Sequence, residues 1–270
     1  MRCVGDSYHG LLCGRFALAI TGDAIATALG AQPLLPAFVD ALKAWQGRFN
    51  IAPSIPIPVV VESATGGAGN SGRELIFAKW GLIPFWSKDS AIGARLSNAR
   101  SDSVTSKPAF RAAWKSRRCL VPVTAYYEWQ APAEGETKKR AFAIASEDGE
   151  LMTLGGLWER WRDPTSGGEM LSCAIITSDA CEALKAIHGR MPIVVGASMR
   201  DRWLHDADAA ATLLGTGRAE LSAPDMTPPL RSWPVSALVN SVRNDSSACL
   251  APLGDSATNS PSGEFPGGLW

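Results

Sequence analysis

Two hydrophobic periods alternate along this chain. Between residues 22 and 46 the apolar side chains recur at helical spacing, Ile25 and Leu29 and then Phe38, Leu42 and Trp45. Pro33 and Pro36 interrupt the run, so it predicts two short helices. Residues 57–62 and 75–80 are short, largely apolar runs of strand type, separated by a turn rich in Gly, Asn and Ser at 66–72. Together they predict a hairpin. Further strands are predicted over 118–123, 125–129, 141–146, 152–158, 171–177, 192–195 and 233–240, and further helices over 108–115, 178–187, 200–204 and 208–214.

Many short strands, few helices and no strand–helix–strand alternation predict an α+β fold, mainly antiparallel, in a single domain. That domain is expected to span 13–248. Residues 1–12 carry no periodic pattern and read as disordered or absent from the mature protein. From Cys249 to the end the chain is Gly, Ser, Pro and Asn with scattered apolar residues, which predicts a disordered tail over 249–270.

Composition changes this picture little. At 46% hydrophobic and 19% charged, the 270 residues suffice for a sizeable core. No apolar run reaches the ~20 residues of a membrane-spanning helix, and the start lacks the pattern of a secretory signal. A protein of the cytoplasm is expected. Cys3, Cys13, Cys119, Cys173, Cys181 and Cys249 form no CxxC pair, which argues against a zinc site or a disulfide framework. Net charge is zero, but residues 73–140 hold 13 Lys and Arg against 6 Asp and Glu. Such a block reads as a solvated charged face or as a phosphate-binding one.

Candidate chemistry lies in four distant runs: Cys13-Gly14-Arg15-Phe16, Ser97-Asn98-Ala99-Arg100-Ser101-Asp102, Tyr127-Glu128-Trp129 and Ile187-His188-Gly189-Arg190-Met191-Pro192. Each has a plain reading beside a chemical one. Cys13 is a packed thiol or, at a free N-terminus, an aldehyde trap. An α-amine with a pKa of about 7.7–8 attacks carbonyls at neutral pH, and the adjacent thiol closes a thiazolidine ring. Glu128 is an edge glutamate, or a general acid–base whose pKa is raised between aromatic neighbours. His188 ends a helix and meets its dipole, or it is catalytic. Asn98 and Arg100 are turn residues or site residues. Trp80, Pro84 and Trp86 are core, or a surface for stacking unpaired bases, worth roughly 1–3 kcal/mol per base.

Taken together, these runs resemble the SOS response-associated peptidase family of abasic-site sensors. The resemblance extends through Asn50-Ile51-Ala52-Pro53, Trp80-Gly81-Leu82-Ile83-Pro84-Phe85-Trp86, Arg118-Cys119-Leu120-Val121-Pro122, Gly156-Leu157-Trp158-Glu159 and Ile175-Ile176-Thr177, and closes with Val235-Ser236, Asn240 and Arg243-Asn244. It covers about residues 13–248 in order. It implies a barrel-like core with peripheral helices and a monomer that needs no cofactor or metal. The implied partner is single-stranded DNA containing abasic sites, met in the cytoplasm at the bacterial nucleoid, with no membrane involved.

For the site, the resemblance implies that Cys13 forms a thiazolidine DNA–protein crosslink with the ring-opened sugar. Asn98 positions the cysteine and the sugar, Glu128 moves protons, and His188 opens the deoxyribose and takes part in reversal. Arg15, Arg48, Asn50, Trp80, Pro84, Trp86, Arg100 and Ser101 are implied to contact DNA. Two departures stand out. Asp102 replaces an expected Glu, and twelve residues precede Cys13 where the family expects only Met. Translation from Leu12 followed by Met removal would free the Cys13 amine, and so would autocatalytic removal of the segment. If the segment stays, the amine is an amide and the crosslinking activity is lost. Two further functions fit the same residues: a self-processing cysteine peptidase with Cys13 as nucleophile, and a single-stranded DNA binding module that does not crosslink.

Overall fold

A computed structural model describes residues 13–63, 72–215 and 228–253. The chain opens with β1 (Phe16–Leu18), α1 (Gly22–Leu29), the short β2 (Gln32–Pro33) and α2 (Pro36–Lys43). Strands β3 (Arg48–Ile51), β4 (Pro56–Glu62), β5 (Arg73–Trp80) and β6 (Asn98–Arg100) follow, then α3 (Arg111–Ser116). Next come β7 (Arg118–Val123), β8 (Ala125–Gln130), β9 (Arg140–Ser146), β10 (Met152–Arg162) and β11 (Glu169–Asp179). The one-turn α4 (Glu182–Lys185), β12 (Arg190–Pro192), α5 (Arg200–His205), α6 (Ala207–Leu214) and β13 (Leu230–Pro234) complete it.

The longer strands close on themselves. β10 pairs with β11 and β7, β7 with β4, and β4 with β5, all antiparallel. β5 then runs parallel to β11, with Ser172 opposite Lys79 and Cys173 opposite Trp80. Five strands thus form a ring without an edge. A second sheet, in the order β13-β9-β8-β1-β3, packs beside it. The chain passes from one to the other at Thr124, whose N–H and hydroxyl both donate to the Ala17 carbonyl (2.8 and 3.1 Å). Phe16 on β1 meets Trp80 at the end of β5, ring centroids 5.0 Å apart, so a single apolar core runs through both sheets.

Local chemistry sets the ends of the elements. Thr21 caps α1 at Ala24 N, and Gly30 closes it in the left-handed region at φ 57°. Pro36 starts α2, where a missing N–H costs nothing. After β5 the chain leaves the side of β11, makes an excursion and returns as β6, which pairs with β11 further along. The base of this excursion is a contact between glycines. Gly81 stands at φ +134°, and a Cβ on either Gly81 or Gly93 would lie 2.6 Å from the other's carbonyl oxygen.

The single α+β domain with a barrel-like core agrees with this architecture, as does the pair of short helices around Pro33. Three details differ. Parallel pairings, which the sequence pattern did not suggest, close the barrel. The predicted helix over 178–187 is one turn, because Ser178 and Asp179 stay paired with Met191 and Arg190 in β11. The predicted strand over 233–240 ends at Pro234 and becomes a 3-10 turn, Ala237–Asn240. The described chain also runs past the expected tail boundary. Cys249 is fully buried, and Leu253 N donates to the Pro234 carbonyl. Residues 1–12, part of the predicted turn at 66–72, and 254–270 lie outside the described residues.

Candidate active site

The register of two strands assembles the site. β1 runs antiparallel to β8 with Phe16 opposite Tyr126 and Ala17 opposite Ala125, and Tyr127 N donates to the Arg15 carbonyl. Continued backward, this register sets Cys13 against the end of β8 that carries Glu128. There Cys13 N donates to Glu128 Oε1 at 3.0 Å, across 115 residues of sequence. Asn98, at the start of β6, donates from Nδ2 to the Cys13 carbonyl at 3.4 Å. The amide and the carboxylate grip one residue from two sides.

His188 arrives on the loop that joins β11 to β12. Ala180 N donates to the Gly189 carbonyl and His188 N to the Leu184 carbonyl, which folds the loop on itself. Gln130 Nε2, at the end of β8, donates to the Ala186 carbonyl and straps the loop to the sheet. His188 Nδ1 lies 3.1 Å from Arg190 N and 3.2 Å from Arg190 O. The local backbone therefore occupies Nδ1 and leaves Nε2 as the nitrogen available for chemistry. Glu128, His188, Tyr126 and Arg190 line one small cavity of about 10 Å³, together with Ile144, Leu184 and Ile187. Beside it opens a groove of about 550 Å³ bordered by Trp129, Lys139, Arg140, Lys185 and His188.

Burial sets the electrostatics. Glu128 is 6% exposed, and desolvation pushes its carboxyl up to about 8, against the smaller opposing effect of the backbone N–H bonds it accepts. The Cys13 thiol, fully buried, is pushed well above its ordinary value by burial and then by Glu128. Cys13 also sits at φ 45°, a left-handed conformation that few residues with a Cβ adopt. A carboxyl that titrates near neutrality beside a backbone nitrogen is equipped to give and take a proton at that nitrogen.

The expected DNA contacts divide. Trp86 is half exposed and Pro84 buried on the excursion between β5 and β6, where Phe85 (56% exposed) joins Trp86 at the surface. Trp80 corrects the stacking expectation, being fully buried with its indole N–H donating to the Ser97 carbonyl. Arg15 and Asn50 face inward as well. They are buried, and bind each other and the carbonyl of Val239, with Asn50 also donating to Ser241 and Asn244. Their polar atoms hold the chain around 239–244. Arg48 pairs with Asp245 but stays about one-third exposed. Arg100 is exposed and paired with Asp102, and Ser101 N donates to the Thr177 carbonyl.

The basic block at 73–140 is not one face. Arg73 pairs with Asp201 and Arg117 with Glu159, while buried Arg118 donates to the carbonyls of Trp114, Trp203 and Leu204. Three residues near the site escaped the sequence reading. Arg190 stood in the quoted run around His188. Phe85 stood between Pro84 and Trp86. Tyr126 lies two positions before Glu128 on a strand, and period 2 alone puts the two on one face. Among the described residues, no group of three or more His, Cys, Asp or Glu is placed to hold a metal ion, and no helix is long and apolar enough to cross a membrane.

Known proteins resemble this chain in sequence and in fold. The abasic site processing protein YoaM of Bacillus subtilis is 33% identical over 239 residues, 88% of this chain and 97% of its own length. The abasic site processing protein HMCES of Gallus gallus is 31% identical over 231 residues, 77% of this chain and 67% of its own length. A crystal structure of a protein from Bacteroides thetaiotaomicron shares the fold with a TM-score of 0.74 at 22% identity, over 89% of this chain and all of that one. The family model for SOS response associated peptidase (SRAP) matches residues 12–242, and the chain belongs to that family.

Proposed function

We propose that this protein processes abasic sites in single-stranded DNA by capturing the ring-opened aldehyde on Cys13. The bond from Cys13 N to Glu128 supports this most directly, because it puts an acid–base group with a pKa of about 8 on the nitrogen that must react. The names of the relatives, abasic site processing proteins, supply the lesion.

The chemistry needs Cys13 as an N-terminal residue. Its neutral amine adds to the aldehyde carbon and gives a carbinolamine. Glu128 in its acid form protonates the hydroxyl, which leaves as water; the nitrogen then returns its proton to the Glu128 carboxylate, and an imine remains. The thiol sulfur then adds to the imine carbon while the thiol proton passes through Glu128 to nitrogen. One C–N and one C–S bond form, one water is lost, and no electrons change hands. The amine, near ~7.7–8 when unperturbed, and the carboxyl, at about 8, are matched closely enough for the proton to move either way at little cost. His188 Nε2 is available to act on the sugar hydroxyl during ring opening. Asn98 holds the Cys13 carbonyl. Exposed Trp86 and Arg100 meet the bases and phosphates of a strand that also follows the groove by His188. Strain adds support. A φ angle exists only where a residue precedes, so a chain that begins at Cys13 is relieved of the 45° conformation. The place of action is the cytoplasm, and the protein acts as a monomer.

The test compares a chain that starts at Met1 with one that starts Met-Cys13, each incubated with single-stranded DNA bearing one abasic site. A denaturing gel is expected to show a slow-migrating species with the short form, lost on Cys13→Ala. No such species from either chain overturns the reading. Salt-sensitive binding alone would then leave a DNA binding module, and DNA-independent cleavage of a peptide in trans would leave a cysteine peptidase.

A further inference from the structure

Tyr126 lines the small cavity, and the one polar atom of its side chain has no partner among the described residues. The side chain is fully buried. A buried, unsatisfied hydroxyl destabilises the fold, and phenylalanine would fill the same space without that cost. The next tyrosine along the strand shows the ordinary arrangement: Tyr127, on the opposite face of β8, donates to the Phe49 carbonyl at 2.7 Å.

The surroundings of Tyr126 are those of the reacting atoms. Its strand neighbour on the same face is Glu128, the residue that holds Cys13 N. The cavity it lines, with Glu128, His188 and Arg190, measures about 10 Å³, about the least space that holds one water. Burial, with Cys13, Glu128 and Cys181 as acidic neighbours, keeps the phenol protonated, so it is available as a donor. An unpartnered donor at a one-water space beside a general acid is the arrangement that a departing hydroxyl requires.

We propose that Tyr126 is a further catalytic residue: its O–H donates a hydrogen bond to the carbinolamine hydroxyl, and the cavity receives the water that leaves. In that step Glu128 gives its proton to the hydroxyl oxygen, the C–O bond breaks with its electron pair going to oxygen, and the nitrogen lone pair forms the C=N bond of an iminium, whose N–H proton returns to Glu128 to leave the imine. Tyr126 keeps its own proton throughout. The inference rests on the aldehyde-capture reading of Cys13.

Tyr126→Phe tests it, in whichever form of the full chain crosslinks. The crosslinking rate at saturating DNA is expected to fall about 10²- to 10³-fold, with the half-saturating DNA concentration unchanged and the melting temperature equal or higher. An undiminished rate overturns the proposal. So does a slower rate accompanied by a lower melting temperature, since the phenol would then be holding the fold. A crystal structure of the unsubstituted protein gives a second readout. Water within hydrogen-bond distance of the Tyr126 oxygen supports the proposal, and a protein acceptor in that place overturns it. If the unsubstituted chain forms no crosslink at all, the aldehyde-capture reading fails first, and the separate control identifies that case.

Discussion

The barrel and the seam between β1 and β8 obey different rules, although they share one core. In the barrel every strand of the ring has two partners, and Trp80 satisfies its one polar atom on the Ser97 carbonyl. At the seam a cysteine stands at positive φ, a carboxyl is raised by burial, and a phenol is buried with no partner among the described residues. Those features destabilise the fold and persist because the barrel holds them in place. Local violations of folding rules concentrate where chemistry is done. This contrast is testable from the barrel to the surface.

The largest effect is expected from Trp80→Ala. It empties a fully buried site against Phe16 and is expected to lower stability by about 3–5 kcal/mol in urea unfolding. A loss below about 1 kcal/mol would mean that the barrel is not the stabilising half. Glu128→Gln is expected to do the opposite. The amide oxygen still accepts from Cys13 N, but no buried charge forms. In the native protein the carboxyl holds its proton more tightly than in the unfolded chain, so stability falls as pH rises from about 4.5 through about 8. The variant is expected to gain on the native protein across that window, by up to roughly 4–5 kcal/mol, while crosslinking slows by about 10²–10⁴. Melting curves at pH 5 and pH 9 measure the first, gel kinetics the second. A variant stabilised equally at both pH values would show that Glu128 is not a strained acid.

Surface residues sharpen the comparison further. Trp86→Ala is expected to leave stability within about 0.5 kcal/mol and to weaken single-stranded DNA binding by about 1–3 kcal/mol. Titration by fluorescence anisotropy reads this, and unchanged affinity removes Trp86 from the DNA path. The smallest effect is expected from Asp102→Ala. Its exposed pair with Arg100 contributes at most about 1 kcal/mol. Its loss is expected to free Arg100 for a phosphate and to steepen the salt dependence of binding by up to about 0.7 in the log–log slope. An unchanged slope would mean that Arg100 does not meet the backbone.

The sequence by itself determined what is local. Short apolar runs bounded by turn residues placed β4, β5 and most later strands, Pro33 and Pro36 divided α1 from α2, and the site residues stood out by type and neighbours. Period 2 divides a strand into two faces but does not say which partner either face meets. Only the tertiary structure decided that β5 and β6 both run along β11, that Trp80 is buried while Trp86 is not, and that Arg15 and Asn50 hold backbone carbonyls. Only it put Cys13 on Glu128, 115 residues away. The raised pKa of Glu128 likewise belongs to no stretch of sequence. It comes from desolvation, which exists only once β1, β9 and the His188 loop have closed over the carboxyl.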